Sequence, residues 1–238
     1  GSDLGNSVEV NCENGDVQLS RIGGLVKVTQ AHGSVRVTEA GSEAHVNAGN
    51  SEVTLSDVRG HVEGLDEHGS IRIERVLGDV KLTAPHCEVE VENLTGSLTA
   101  NLQGDPLTGT SIQGGVKIVA SASDVRLTDV RGPIEVSGTH TPVELVRPGA
   151  NVEVNTTNQE IRLVSPASGF RIDARSDQGE VESDLQALHV PGERPAHFAG
   201  SVGNGTIRYR LTTSHATISI LQTSESASRE KDSDDRDE

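Results

Sequence analysis

The sequence predicts an all-β chain wound as a parallel β-solenoid, a single-stranded β-helix with about 18 residues per coil, and three observations carry that reading. An apolar-polar-apolar triplet returns every nine residues, at Val8, Val17, Val26 and Val35 and onward to Ile161 and Phe170. Such a triplet marks a strand with one buried face, and strict recurrence at a fixed period marks a repeat architecture. Two unlike turns alternate along the run. One is apolar and gives the column Ile22, Ala40, Val58, Val76, Leu94, Ile112, Val130, Pro148 and Pro166; the other is mostly polar and gives His32, Asn50, His68, His86, Gly104, Ala122, His140, Asn158 and Ser176. One coil therefore holds two strands and two corners. Glycine keeps a fixed phase two residues before many triplets, as at Gly15, Gly33, Gly60, Gly69, Gly78, Gly96, Gly114 and Gly132. A corner there needs a positive φ or a close backbone approach.

Nine to ten coils stacked at about 4.8 Å predict a rod on the order of 45 Å long, right-handed because parallel crossovers nearly always are. A coil alone cannot fold. Its few buried apolar side chains contribute roughly 1.5–3 kcal/mol apiece, against about 1–2 kcal/mol per residue of backbone ordering. The apolar fraction of 33% and aromatic fraction of 1% suit a narrow core of β-branched residues stacked in columns.

Taken in order, the repeats run over 8–190, weakening after Glu180-Val181. Residues 191–206, rich in proline and glycine, break the pattern. Ile207-Arg208-Tyr209-Arg210-Leu211 and Ala216-Thr217-Ile218-Ser219-Ile220 then read as closing strands, within 207–221, that cap the C-terminal end of a domain spanning 1–222. The stretch 223–238 is acidic, lacks apolar periodicity and reads as a disordered tail. The first triplet follows Gly1 and Ser2 almost at once, and a bare solenoid end exposes strand edges. An N-terminal portion carrying an anchor or targeting segment is therefore expected before residue 1, with self-association at this end as the alternative.

The triplets' central residues face solvent and carry opposite charges on neighbouring coils, as in Glu9/Lys27, Glu63/Lys81, Lys117/Glu135, Arg72/Glu90 and Arg126/Glu144/Arg162. These stacked pairs fix register more than they stabilise. The formal charge of −16 excludes nucleic acid and anionic membrane as partners. No stretch approaches the ~20 apolar residues of a membrane span, so no insertion is expected of this chain. Cys12 and Cys87 lie about four coils apart, roughly 19 Å, beyond disulfide reach, and are expected to be free thiols.

His68 and His86 occupy equivalent corners on adjacent coils, about 5 Å apart, and with Cys87 they form the best candidate for a metal. Zinc needs three or four ligands, whereas a polar ladder that hydrogen-bonds the turns, like Asn50 and Asn158 in the same column, needs none. The ladder is the preferred reading, and no metal or cofactor is expected. Carboxylate pairs such as Glu135 and Glu153 are what a polysaccharide-cleaving β-helix would use, but uniform turns leave no loops to wall a cleft and aromatic residues for stacking sugar are scarce. No catalytic residue is assigned.

The G-x-Φ-x-Φ nonapeptide, RIDARSDQGEVESDL at 171–185, the Gly/Pro-rich break and GNGTIRYRLTTSHATISIL at 203–221 together resemble a bacterial family of adhesin-like β-solenoid repeat domains of unknown function. The last turn departs from that pattern, with Ser214-His215-Ala216 where the family tends to have glycine. The resemblance implies a cell-envelope, extracytoplasmic or membrane-anchored setting and carries over no catalytic residues. The expectation is a non-catalytic envelope module that binds a protein or glycan through its side or its capped end. The alternative is a self-assembling scaffold similar to bactofilin-type β-helices.

Overall fold

The computed structural model describes residues 2–165, 169–185 and 197–222. The expected fading repeat at 188–190, Pro166 and the acidic tail lie outside these residues. Among the described residues all regular structure is strand, wound into a parallel β-solenoid of about nine turns with about 18 residues per turn. Backbone pairing repeats at that offset from the first coil to the coil at Val152, with Val8 level with Val26, Val26 with Ala44, and so on to Ile134 with Val152.

The first four coils are each one long strand, Val8–Ile22, Val26–Ala40, Ala44–Val58 and Val62–Val76, bent around a corner. From Val80 onward the same path is split into paired strands such as Val80–Pro85 and Cys87–Leu94. Local backbone chemistry accompanies the change. Three of the four continuous corners have a glycine, Gly15, Gly33 and Gly69, at φ of 121°, 129° and 148°, a region only glycine enters readily, whereas the split corners place His86, Gly104, Ala122, His140 and Asn158 at positive φ instead.

Triplet ends point inward and form one continuous core. Its apolar corner column, Ile22, Ala40, Val58, Val76, Leu94, Ile112 and Val130, is at most 1% exposed. Beside it runs a stack of glycines, Gly60, Gly78, Gly96, Gly114 and Gly132, in which each from Gly78 on is pressed on the backbone of the one before. A Cβ on Gly96 would lie 2.3 Å from the carbonyl oxygen of Gly78. Gly96→Ala is expected to destabilise the protein by about 1–3 kcal/mol, the range for overpacking a tight core, and to lower the thermal midpoint in calorimetry.

The same corner holds a feature with no counterpart among the sequence expectations. Arg21, Glu39, Asp57, Arg75, Asn93, Ser111, Asp129 and Arg147 stack in one column, each in the left-handed region at φ between 51° and 58°. Side chains in that conformation crowd their own backbone. Some of the column's members bind one another: Arg75 donates two hydrogen bonds to Asp57 (2.7 and 2.9 Å), and Arg147 likewise grips Asp129. Those guanidiniums hold both carboxyls below the usual range by hydrogen bonding. Ser111→Gly should relieve the crowding at its rung and raise stability by up to about 1 kcal/mol, read as a shift of the urea midpoint without a change of slope.

The C-terminal end differs from expectation. The strands Ile207–Thr213 and Ile218–Gln222 exist, but they do not close the rod. They lie inside it: Tyr209 is level with Val152 on one side and with Ile172 on the other, and Ile218 is level with both Ile161 and Val181. Phe170–Ser176 and Val181–Ser183 therefore form the outer rung, displaced one level from the coil that precedes them in sequence. The 18-residue register also slips here by two residues, because Ile172, not Phe170, stands over the Val152 position. The covering strand is His197–Val202, drawn from the segment expected to be an irregular break. It pairs antiparallel with Phe170–Ser176 and buries Phe198 and Val202. All three aromatic residues of the chain are buried at this end, with the rings of Phe170 and Tyr209 centred 5.0 Å apart.

Candidate functional site

The outward positions of the two-stranded coil divide into bands of different chemistry. On the sheet that begins with Val8, the triplet centres form a charged band whose members neutralise each other between rungs. Lys27 bonds Glu9 at 2.9 Å, Lys81 bonds Glu63 at 2.8 Å, and Lys117 bonds Glu135 at 2.8 Å. Arg210 of the inserted coil faces Glu153 at 3.8 Å. On the second sheet the expected pairs also form, Arg72 with Glu90, and Glu144 with both Arg126 and Arg162.

Two residues along from the charged band, the same sheet carries a column that is uncharged up to its outermost rung. It starts with Asn11, Thr29, Asn47, Leu65 and Thr83. It continues through Asn101, Val119, Ser137, Asn155 and Thr212. Ten successive rungs are uncharged in a protein of which 24% is charged. The column ends at Arg175 on the outer rung, level with Thr212. Two of the large apolar residues that the fold leaves exposed, Leu65 at 38% and Val119 at 51%, stand in it.

Over the last five rungs this column becomes one wall of a groove of about 670 Å³. A second uncharged column, Gln103, Ser121, Thr139, Thr157 and Ser214, forms the other wall, and the small residues Ala120 and Gly138 lie between. Among the described residues that line it Asp177 is the one that is charged, and Arg175 binds that carboxylate at 3.2 Å. A smaller groove of about 530 Å³ lies alongside, over the charged band, lined by Lys117, Glu135, Glu153 and Arg210 among others. The carboxylate pair Glu135 and Glu153 stands there on adjacent rungs, each already engaged by a cation.

Side chains of the polar corner stack from coil to coil as expected. The rings of His68 and His86 stack with centroids 5.2 Å apart and planes 18° apart, and Asn158 meets His140 at 3.4 Å in the same column. Cys87 does not join the histidines. Its side chain turns inward, is 1% exposed and donates to the carbonyl oxygens of Asp66 (3.2 Å) and Pro85 (3.4 Å). Burial pushes the thiol up to about 12, so it supplies neither a thiolate ligand nor a nucleophile at neutral pH. Among the described residues no group of three or more His, Cys, Asp or Glu is placed to hold a metal ion. Both cysteines are free.

Beside Cys87 lies a buried acid that nothing in the sequence pattern singles out. Asp66 is 0% exposed, and neither carboxylate oxygen has a partner in hydrogen-bonding geometry. The hydroxyl of Ser51, on the rung before, is also unpartnered. Burial raises Asp66 to about 6; the nearby amides of His68, Glu67 and Ser51 oppose the shift without outweighing it.

No family model matches the chain, and neither the curated proteins nor the solved structures contain a match to it.

The first uncharged column does have a signal in the sequence, at intervals of 18 from Asn11 to Asn155, and Thr212 joins it only through the inserted coil. It lies two residues past the triplet centres, outside the apolar repeat that defines the fold.

Proposed function

We propose that this chain is a non-catalytic binding module of the cell envelope that presents one side of its rod to a protein or glycan partner. One observation carries this reading: a ten-rung uncharged stripe on a strongly acidic rod, widening into a groove. Charged side chains cost the rod nothing on a solvated face, so their exclusion from one column over ten successive rungs is unusual for a surface that meets only water. Exposed Leu65 and Val119 in that column add apolar contact area. The rigid ladder beneath costs no ordering on binding.

The test is a pull-down from a bacterial envelope fraction with the full chain and with two charge variants of exposed residues. Val119→Glu lies on the stripe, and Thr108→Glu on the opposite sheet. Retention of the same partner by the full chain and by Thr108→Glu, with loss in Val119→Glu, supports a side-binding module. Equal retention by all three places binding elsewhere.

The scaffold reading has its own support at the first coil, where Val8, Val10 and Cys12 are only partly buried against the core. The short strand Ser2–Leu4 covers only the far side of that rung, pairing at Ser20 and Ile22. At the other end the antiparallel strand His197–Val202 opposes continued parallel stacking on the sheet it covers. Filaments in negative-stain micrographs would favour the scaffold; a monomer in sedimentation at high concentration would count against it.

A further inference from the structure

We infer that the groove between the two uncharged columns binds an uncharged polysaccharide, laid along the rod axis with its hydroxyls read by successive rungs. The inference deepens the binding-module reading and rests on it, but it commits to one ligand chemistry and one place.

Three features of the groove select that ligand. Its walls are hydroxyl and amide side chains, among them Asn101, Ser121, Ser137, Thr139, Asn155 and Thr212. These groups both donate and accept hydrogen bonds, as sugar hydroxyls do, so a match does not depend on the polarity of any one bond. Parallel stacking repeats the groups at about 4.8 Å along the axis, which suits a ligand that is itself a linear repeat.

The second feature is the absence of a usable charge. An anionic glycan would need cations in the groove, and a basic peptide would need carboxylates. Asp177 is occupied by Arg175, and the flanking Lys117 and Arg210 are held by Glu135 and Glu153. In a chain of net charge −16 an anionic ligand is repelled overall, and among the described residues that line this groove there is no cation to offset the repulsion.

The third feature is Val119, half exposed on the second of the wall's five rungs and flanked by Asn101 and Ser137. It offers the apolar face of a sugar ring a contact in a groove that has no aromatic lining. The expected affinity is accordingly weak for one sugar and accumulates along a chain.

Affinity electrophoresis tests this directly, with the full chain run in native gels containing dextran, amylose or mixed-linkage β-glucan, and alginate as the anionic comparison. The expected result is retardation by at least one neutral polymer and none by alginate, unchanged by added salt. Val119→Glu and Thr139→Glu should each weaken retardation on the order of tenfold, by burying a charge against ligand without compensation, while Thr108→Glu on the other sheet leaves it intact. Both substitutions are at exposed outward positions, and far-ultraviolet circular dichroism checks that the strands persist.

No retardation by any of the three neutral polymers overturns the inference, as does retardation that survives both groove variants or is confined to alginate. Sedimentation velocity covers a remaining occupant, a second copy of the chain: a dimer that either groove variant dissociates would make the groove a self-interface and would also overturn it. If the gels are negative but a protein partner from the envelope pull-down is still lost in Val119→Glu, the glycan assignment fails while the binding-module reading stands.

Discussion

Replacing Asp66 by asparagine is expected to stabilise the protein by about 3 kcal/mol near pH 8, and to flatten the stability difference between about pH 4 and pH 7 that the parent chain shows. The inner side of the polar corner is furnished with donors aimed at turn carbonyls. Gln30 donates its amide to the carbonyls of Gly15 and His32, Thr156 donates to Thr141 at 2.8 Å, and Ser123 donates to Ser121 at 3.0 Å. Asp66 stands in the same column as Gln30, between Ala48 and Ala84. An ionised carboxylate can only accept, so it is the wrong group for that place; a protonated carboxyl or an asparagine amide can donate as Gln30 does.

The sign follows from the direction in which burial moves the carboxyl. In the folded chain it titrates at about 6 against an ordinary value of 3.8, so the folded state binds the proton more tightly. The associated stability is fully present below about pH 4 and is lost as the pH rises through 6. The gap between the folded and the ordinary value corresponds to about 3 kcal/mol. The groups packed around Asp66 do not reverse this: Glu67 is repulsive, the Cys87 thiol stays protonated at neutral pH, and Ser51 is neutral. Urea unfolding at a series of pH values, on parent and variant, reads both effects. A parent chain whose stability falls on acidification from pH 7 to pH 5, or an asparagine variant less stable than the parent at pH 8, would rule this account out.

Ending the chain at residue 206 should cost more than the two strands removed. Because Ile207–Thr213 and Ile218–Gln222 are sandwiched between the coil at 152–165 and the outer rung, their loss strips both neighbours of their ladders at once. Tyr209 is the core of this joint: 1% exposed, it donates to the carbonyl of Pro148 at 3.1 Å and packs on Phe170. Hydrogen exchange of the truncated chain should show Val152–Asn155 and Phe170–Ser176 both losing protection, while the coils from Val26 to Val76 keep theirs. Retained protection across 170–176 would mean that the outer rung had dropped one level to stack directly on Val152–Asn155, contrary to expectation. Tyr209→Ala is expected to cost about 3–5 kcal/mol, the range for deleting a large buried ring, and to weaken both neighbouring rungs.

The solenoid, its 18-residue coil, the inward-facing triplet positions, the charges that meet across rungs and the stacking of His68 on His86 were all legible in the amino-acid order. Each follows from a repeat in which every rung faces a copy of itself, so that spacing along the chain converts directly into position in space. The rest depends on how the coils pack. Backbone ladders accept any strand with inward apolar residues at alternate positions, so nothing local marks Ile207–Thr213 as an interior rung and Phe170–Ser176 as an outer one; packing of Tyr209 and Phe170 settles it. The left-handed column through Arg21, Ser111 and Arg147 is likewise invisible locally, because charged residues seldom adopt that conformation and several of them are braced here by a partner on the neighbouring coil. Asp66 looks like one more surface acid in a chain full of them. Only the stacking of coils closes the corner over it and turns an ordinary carboxylate into a buried, unpartnered one.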